Sequence, residues 1–352
     1  MKITIHRLMR LLSVLLPSLL LLLTASCGKV SPGTADEILP EPEPPEMQML
    51  GADTKFTYLC FDMSQNKYAA IAEALAEKCD AQEVELSVID CGGQDSVFFS
   101  VFDDLSEMAS DGLIVTAENN NLGPVIQGIC ATLDLPLLCV ETRFRNAEGQ
   151  SVVSVDYQSR RCGALLGGAI ADHVLARGVD ISDTTVVMLN MTSELYIKQT
   201  LAGVEDVLTE RLNLSSANFT MLEVTGSSYE KQHMAMNSFF QKLDPGRNYI
   251  FITFNNEGAK AVADYVRESE ADGQRVFLGS IGYFEKAQSI FELGDDTSEN
   301  FITVDISPEE IATSVMELLN CHLGDLQDQS EVMLIPEQVV TWESYQQDLF
   351  GE

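Results

Sequence analysis

The chain has 352 residues, which corresponds to about two domains, and 21 Lys and Arg stand against 54 Asp and Glu, a formal net charge of −33. Hydrophobic residues make up 45% of the chain, enough for a large core, which excludes wholesale disorder. So acidic a balance argues against nucleic acid as a partner, because phosphate binding needs a basic surface, and against docking on anionic lipid through a basic patch.

The first 26 residues have the pattern of a secretory signal peptide. Three basic residues lie within the first ten positions, an apolar run covers residues 11–23, and small residues lead to Cys27. This order of basic, apolar and small residues is typical of a cleaved signal. The apolar run is too short to cross a bilayer comfortably. The sequence therefore predicts that residues 1–26 form a signal peptide, with a signal anchor as the alternative.

Cys27 follows residues 23–26 (Leu-Thr-Ala-Ser), and this stretch resembles the lipobox of bacterial lipoproteins. The resemblance implies that Cys27 is lipidated and becomes the first mature residue, and two or more acyl chains anchor a protein stably. Residues 27–54 then form a tether, because five prolines between positions 32 and 45 alternate with acids and leave no apolar period. We expect an extracytoplasmic protein, lipid-anchored to the bacterial cell membrane, with plain secretion as the alternative.

Beyond the tether the chain alternates short apolar runs with segments of helical period. The runs predicted as strands are residues 56–61, 84–89, 112–115, 135–140, 152–155, 184–189, 219–224, 249–254, 275–281, 301–304, 332–335 and 338–341. Strands separated by helical patterns indicate βαβ units and mainly parallel sheets, and their number suits two sheets rather than one. Asp156 follows one of these runs and is predicted to cap the long helix behind it.

Polar and aromatic side chains follow many of the predicted strands. These segments are residues 62–68, 116–121, 141–143, 190–196, 255–257 and 282–283. Ligands of open parallel sheets bind beyond the carboxyl ends of the strands, so we expect these segments to converge. Convergent donors and acceptors on rigid strand ends are typical of a polar small-molecule site.

Six stretches stand in the order and spacing of one known family. They are residues 61–68, which look like its first strand-to-helix turn, 111–115 ("DGIIV" in the family), 135–137 ("IPV"), 155–157 ("VDNYEAG"), 251–259 ("IFAHNDEMA") and 307–312 ("DPYEMG"). These stretches resemble the type I periplasmic binding proteins of sugar ABC importers, the ribose- and galactose-binding group, whose ligand domain is shared with LacI-type repressors. The resemblance covers about residues 55–346.

The resemblance implies an α/β fold of the periplasmic-binding-protein type I, with two doubly wound, mainly parallel α/β lobes joined by a three-segment hinge. It implies an N-terminal lobe of residues 55–155 plus 281–306 and a C-terminal lobe of residues 156–280 plus 307–346. A sugar or sugar-like molecule would bind between the lobes, and hinge closure would trap it.

The resemblance also implies a set of ligand-binding residues. Gln65 stands at a position where the family has an amide or an acid, and Lys67 and Tyr68 stand where it often has two cleft aromatics. Glu141 stands at the family's acidic position after the fourth strand, and Arg143 lies one place beyond its usual Arg. Lys198 lies near an Arg that clamps ring hydroxyls in the family, and Asn255 matches a ligand-binding amide. Ile281 and Ile306 stand where the family has a ligand Asp and Gln. This departure argues against ribose, galactose and ordinary aldohexoses, and a less hydroxylated, a modified or a non-sugar ligand fits as well.

The remaining reactive residues do not form a catalytic or metal motif. Seven cysteines lie beyond Cys27 without a CxxC pair, so we expect free thiols packed in the core, with at least one disulfide as the alternative. An extracellular hydrolase would need a nucleophile with a His and an acid in reach, and no such set is visible around Ser64 or Ser193. We expect no enzyme activity, no cofactor and no metal.

The sequence therefore predicts a monomeric, extracytoplasmic solute-binding lipoprotein of an ABC importer. Its expected partners are a sugar-like small molecule, an ABC permease and the membrane through the lipid anchor, but not nucleic acid. A receptor lipoprotein that feeds a membrane sensor kinase, or a degenerate binder of a non-sugar ligand, stays open. The signal peptide, the charge and the missing helix-turn-helix argue against a LacI-type repressor.

Overall fold

The computed structural model describes residues 50–192, 194–269, 272–323 and 332–350. The predicted signal peptide, the lipidation site Cys27 and most of the predicted tether therefore lie outside the described residues. The described part begins inside the predicted tether. There Leu50 packs against the core, and the N–H of Thr54 donates a hydrogen bond of 2.8 Å to the carbonyl of Gly51, which closes a turn.

The described residues form alternating strands and helices. The strands are β1 (Lys55–Cys60), β2 (Glu85–Asp90), β3 (Gly112–Val115), β4 (Leu137–Val140), β5 (Ser154–Asp156), β6 (Thr184–Asn190), β7 (Phe219–Glu223), β8 (Asn248–Ile252), β9 (Val276–Gly282), β10 (Phe301–Asp305), β11 (Val332–Leu334) and β12 (Gln338–Thr341). The α-helices are α1 (Asn66–Ala81), α2 (Asp95–Asp104), α3 (Gly123–Leu133), α4 (Ser159–Ala176), α5 (Leu195–Leu212), α6 (Tyr229–Phe240), α7 (Asn256–Glu268), α8 (Phe284–Phe291), α9 (Asp296–Glu299), α10 (Pro308–His322) and α11 (Trp342–Phe350). Within the described ranges, no helix has the length and apolar character needed to cross a membrane.

The strands pair into two six-stranded sheets, one in each lobe. The first sheet has the order β11-β5-β4-β3-β1-β2, and all of its strand pairs are parallel. The second has the order β12-β10-β9-β8-β6-β7 and is parallel except for the β10–β12 pair. Strands β3, β4 and β8 are buried along their whole length, as expected for parallel strands covered on both faces. The prediction of two mainly parallel α/β lobes is confirmed.

The lobe boundaries differ from the predicted ones in the second half of the chain. Strands β9 and β10 pair in the second sheet, so assigning residues 281–306 to the N-terminal lobe was wrong. Strand β11 pairs with β5 of the first sheet, and α10 packs on α1, where the Cys79 thiol lies 3.8 Å from the sulfur of Met316. The described part of residues 308–334 therefore belongs to the N-terminal lobe, not to the C-terminal lobe.

The chain crosses between the lobes three times, near residues 156–159, 305–308 and 334–338. The N-terminal lobe thus comprises residues 50–156 plus the described part of 308–334, and the C-terminal lobe comprises the described parts of 157–305 plus 338–350. The central strands of both sheets are apolar and buried, so composition does not tell which sheet a strand joins. Pairing between distant segments decides which sheet each strand joins.

Helices α4 and α5 of the C-terminal lobe approach so closely that two glycines are required. A Cβ on Gly163 would lie 1.9 Å from the carbonyl oxygen of Thr200, and a Cβ on Gly203 would lie 2.1 Å from that of Arg160. A larger residue at either position would force the helices apart. This packing fixes the first turn of α5, which carries Tyr196 to the space between the lobes.

Candidate functional site

A cavity of about 420 Å³ lies between the carboxyl ends of the two sheets. Residues that follow β1, β3 and β4 line it from the N-terminal lobe, and residues that follow β6, β7, β8 and β9 line it from the C-terminal lobe. Every strand-end segment named from the sequence contributes at least one lining residue: Asp62, Ser64, Gln65, Lys67, Glu118, Glu141, Met191, Glu194, Tyr196, Asn255, Asn256, Glu257, Gly282 and Tyr283. Its volume lies within the usual range for small-molecule sites.

A second, outer cavity of about 710 Å³ adjoins the first. Lys67, Glu141, Tyr157 and Tyr196 line both cavities, so these side chains stand between the inner and the outer part of the cleft. Arg143 and Tyr68 line the outer cavity.

Lys67 comes from the first turn of α1 and reaches toward the opposite lobe. Its Nζ lies 3.5 Å from Oε2 of Glu141, 4.3 Å from the centre of the Tyr68 ring and 5.3 Å from the centre of the Tyr196 ring. Burial opposes the charge of Lys67, but the facing Tyr68, Glu141 and Tyr196 outweigh it and raise the pKa of the ammonium well above its usual value. Lys67 therefore stays positively charged inside the cleft at neutral pH.

Glu141 is held in position by its backbone and by a tyrosine of the opposite lobe. Its φ of 48° is in the left-handed region, where a residue with a side chain is strained, and such outliers are frequent at functional sites. Its N–H donates a hydrogen bond of 2.9 Å to the carbonyl of Val155, and the hydroxyl of Tyr283 donates one of 3.2 Å to Oε1. Burial raises the pKa of Glu141, although neighbouring Lys67 lowers it.

Arg143 binds the hinge rather than the inner cavity. Its Nε donates to Oδ2 of Asp156, and its Nη2 donates a hydrogen bond of 2.9 Å to the carbonyl of Tyr157. Asp156 was predicted to cap α4, but the N-cap of that helix is Gln158. The carboxylate of Asp156 instead accepts from Arg143 and from the N–H of Tyr157. The pair therefore ties the end of β4 to the first interlobe crossing.

Gln65 lines the inner cavity near a carboxylate of the same lobe. Its Nε2 donates a hydrogen bond of 2.9 Å to Oε1 of Glu118, which follows β3. The side chains of Gln65 and Glu118 thus form one polar wall of the cavity.

Asn255 lines the inner cavity and also joins two helices. Its Oδ1 accepts hydrogen bonds from the N–H of Gly258, at 3.0 Å, and from Nε2 of Gln232, at 2.7 Å, so it caps α7 and binds α6. Its Nδ2 donates one of 2.8 Å to the carbonyl of Ser227. Most of its hydrogen-bonding capacity therefore holds the C-terminal lobe together.

Lys198 is not brought to the site that the sequence predicted for it. The side chain is exposed and lines neither cavity, whereas its helix neighbours Tyr196 and Gln199 line the outer one. The period of α5 turns Lys198 away from the cleft, toward Glu223, whose pKa it helps to lower. This placement gives no support to a ligand contact of Lys198, which stays a prediction.

Sequence reasoning missed several residues of the cleft. Tyr157 follows β5, and the segment 226–231 follows β7. Both could have been found from the sequence, because ligands of parallel sheets bind beyond the carboxyl ends of the strands. Lys286 lies within α8, behind a strand end, and carried no such signal. Ile281 and Ile306, the two apolar positions of the family resemblance, do line the inner cavity.

Comparisons with known proteins agree on one fold. A family model described as periplasmic binding proteins and sugar binding domain of LacI family matches residues 56–342. A comparison with curated proteins finds no match.

Solved structures with the same fold include transport proteins and a regulator. The periplasmic ribose ABC transporter protein of Conexibacter woesei DSM 14684 has a TM-score of 0.69 at 15% identity, over 86% of this chain and 97% of that chain. A carbohydrate transporter solute binding protein of Agrobacterium radiobacter, in complex with D-arabinose, has a TM-score of 0.66 at 10% identity, over 85% and 98% of the two chains. The transcription regulator CcpA of Lactococcus lactis has a TM-score of 0.60 at 11% identity, over 82% and 97%.

At these identities the solved structures show the fold alone, but the family model covers most of the chain and nearly all of the described body. It includes both sheets and every strand-end segment that lines the cleft. The chain therefore belongs to the family of periplasmic binding proteins and LacI-type sugar-binding domains.

Proposed function

We propose that this protein is an extracytoplasmic solute-binding lipoprotein of an ABC importer and that it binds a sugar-like small molecule between its lobes. The observation that carries the proposal is the inner cavity of about 420 Å³, whose walls come from the strand ends of both lobes. A ligand in this cavity would contact both lobes at once, so binding would favour the closed arrangement.

The wall chemistry suits a compact molecule with both polar edges and apolar faces. Tyr157, Tyr196 and Tyr283 supply rings, and Ile281 and Ile306 supply aliphatic surface. Carboxylate, amide and hydroxyl groups such as those of Gln65, Glu118 and Ser227 lie among them and can replace the water bound to a ligand hydroxyl. A sugar or a modified sugar has this combination of surfaces.

The three interlobe crossings would allow the motion that binding needs. The three crossings at residues 156–159, 305–308 and 334–338 are short, and a few residues in such connections absorb the rotation of one lobe against the other. The proposed activity is binding alone, followed by delivery of the ligand to a permease.

The relatives named above include both transport proteins and a transcription regulator. The predicted signal peptide and the net charge of −33 favour a role outside the membrane over a role on DNA. For this reason we propose an importer component and not a repressor.

A thermal-shift and calorimetric panel tests the binding activity. The protein is titrated with pentoses, hexoses, amino sugars, polyols and nucleosides, and we expect one class to raise the melting temperature. A ligand at 100 times its Kd stabilises the folded state by about 2.7 kcal/mol, which is large enough to measure. If no member of the panel binds, the sugar-like ligand is refuted.

Two cellular experiments test the remaining parts of the proposal. Deletion of the gene should abolish uptake of the identified ligand, whereas a receptor for a sensor kinase would leave uptake intact. Replacement of Cys27 by Ser should move the protein from the membrane fraction to the soluble fraction, because the acylated thiol would be lost. Retention of the Cys27→Ser variant in the membrane would contradict lipidation at this residue.

A further inference from the structure

The ammonium group of Lys67 lies inside a cage of aromatic rings and one carboxylate. We define the tyrosine cage as the rings of Tyr68 and Tyr196, the carboxylate of Glu141 and the hydroxyl of Tyr283 that donates to it. The Lys67 Nζ is 4.3 Å and 5.3 Å from the two ring centres and 3.5 Å from Oε2 of Glu141. Both lobes supply the cage, since Tyr68 and Glu141 belong to the N-terminal lobe and Tyr196 and Tyr283 to the C-terminal lobe.

This arrangement is the chemistry that recognises an organic ammonium. The faces of aromatic rings attract a cation within about 6 Å of their centres, and more strongly where water is excluded. Here the side chain of Glu141 is only 6% exposed, Tyr68 is 3% exposed and Tyr283 is 7% exposed. The cage is therefore a shielded cation site that an internal side chain fills.

Lys67 fills this site with a flexible side chain. Its side chain is 29% exposed and lines both the inner and the outer cavity, so it stands at the boundary between them. A lysine reaches its position through a flexible four-carbon stem. Rotation of that stem into the outer cavity would free the cage and join the two cavities.

Glu141 determines what can replace Lys67. A carboxylate so deeply buried is costly to leave unpaired. A neutral molecule that displaced Lys67 would leave this charge without a partner, whereas a molecule with its own ammonium group would restore the pair. The cage therefore distinguishes ligands by charge.

We propose that the tyrosine cage recognises the ammonium group of the ligand and that Lys67 occupies the cage when no ligand is bound. This inference rests on the proposed binding function and specifies its ligand class. The ligand is a compact, hydroxylated amine, of which an amino sugar is one example.

Removal of Lys67 provides a direct test. A Lys67→Ala variant is compared with wild type and with Lys198→Ala, a control that removes a lysine outside the cleft. The first probe is tetramethylammonium chloride, and sodium chloride at equal ionic strength is its control. The second probe is glucosamine, and glucose is its control. We expect tetramethylammonium to raise the melting temperature of Lys67→Ala and to bind it about tenfold more tightly than it binds wild type or Lys198→Ala. Glucosamine should gain affinity in the same variant, and glucose should not.

Two results would overturn the proposal. One is a folded Lys67→Ala protein that tetramethylammonium stabilises no more than wild type. The other is an equal gain for glucose and glucosamine, since the variant would then have acquired only space. If Lys67→Ala does not fold, Lys67→Gln, which also removes the charge, is tested with the same probes and the same two criteria. Adding Glu141→Gln to either variant should abolish the preference for the ammonium probes.

The test is separable from that of the proposed function. Sugar binding by wild type together with no ammonium response in Lys67→Ala would overturn the cage alone. An ammonium response in Lys67→Ala together with no ligand for wild type would count against the binding function and leave the cage intact.

Discussion

The hydroxyl of Tyr283 donates a hydrogen bond of 3.2 Å to Oε1 of Glu141 and so joins the end of β9 in the C-terminal lobe to the end of β4 in the N-terminal lobe. Both side chains are buried, and one carries a charge. Hydrogen bonds to charged groups are stronger than those between neutral groups. This bond therefore links the two lobes, and the proposed opening of the cleft would break it.

Replacement of Tyr283 by Phe should weaken ligand binding. Phe keeps the ring but removes the donor, and a hydrogen bond to a charged group contributes about 1.5–3 kcal/mol, so we expect affinity to fall by about 10- to 100-fold. Calorimetry with the identified ligand measures the loss. Tyr229→Phe is the matched control, because Tyr229 donates to Asp264, at 2.9 Å, within one lobe. Equal affinity in the two variants would refute the interlobe role.

Replacement of Arg143 by Ala should destabilise the hinge. The Asp156 side chain is only 8% exposed and would lose its charged partner. Because the guanidinium itself is 50% exposed, we expect a loss of about 1–3 kcal/mol, below the value for a fully buried pair. Urea unfolding measures it, with Arg145→Ala as the control, since exposed Arg145 donates to the carbonyl of Gly149. Adding Asp156→Asn to Arg143→Ala should recover much of the lost stability.

Replacement of Asn255 by Ala should lower stability as well as affinity. The variant loses the cap of α7 and the link to Ser227, and loss of an N-cap alone costs about 1 kcal/mol. Thermal unfolding without ligand measures this structural part, and calorimetry measures the binding part. A variant with full stability and reduced affinity would show that Asn255 acts only through the ligand. Ser307→Ala, which removes the cap of α10 in the other lobe, is the control.

Asp305 should make stability depend on pH. Burial raises the pKa of Asp305 to about 6, although the N–H of Phe284 donates a hydrogen bond that favours the charged form. An unfolded Asp has a pKa of about 3.9, so the folded protein binds this proton more tightly. The resulting stabilisation is complete below about pH 4 and is lost as pH rises through about 6.

Asp305→Asn isolates that contribution. Asn keeps an oxygen for the N–H of Phe284 and never charges, so the variant should gain stability over wild type between pH 4 and pH 7, on the order of 1 kcal/mol. Urea midpoints at four pH values measure the difference. A constant difference across this range would contradict the assignment to Asp305.

The cysteines should react very unequally. Among the described residues, Cys321 is exposed and six other free thiols are buried. Burial raises the pKa of Cys91 and of Cys130 to about 12, which leaves almost no reactive thiolate at neutral pH. With Cys27 replaced by Ser, a thiol reagent should modify one residue in the native protein and seven in denaturant. Fewer than seven in denaturant without reductant would reveal a disulfide.

The sequence predicted much of the fold, because helix caps and apolar strand patterns depend on residues that are neighbours in the chain. Ser307 and Pro308 predict the start of α10, and in the structure the Ser307 hydroxyl caps that helix. The apolar runs predict the strands, and the residues behind them predict which side chains face the cleft. Gln65, Lys67, Glu141 and Asn255 line the inner cavity for this reason.

Only the tertiary structure decided the features that depend on distant segments. Strand β9 joined the second sheet through pairing with β8 and β10, which no local pattern specifies. The phase of α5 placed Tyr196 in the cleft and Lys198 outside it. The contact between Tyr283 and Glu141 joins residues 142 positions apart.

The acidic composition by itself therefore argued against nucleic acid as a partner, and the order of apolar runs predicted two mainly parallel α/β lobes. Only the tertiary structure decided which charged side chains face the cleft. In a chain with a net charge of −33, one lysine among tyrosine rings faces a carboxylate at the centre of the site. Composition is an average over the whole chain, whereas recognition depends on the few groups that folding brings within hydrogen-bonding distance.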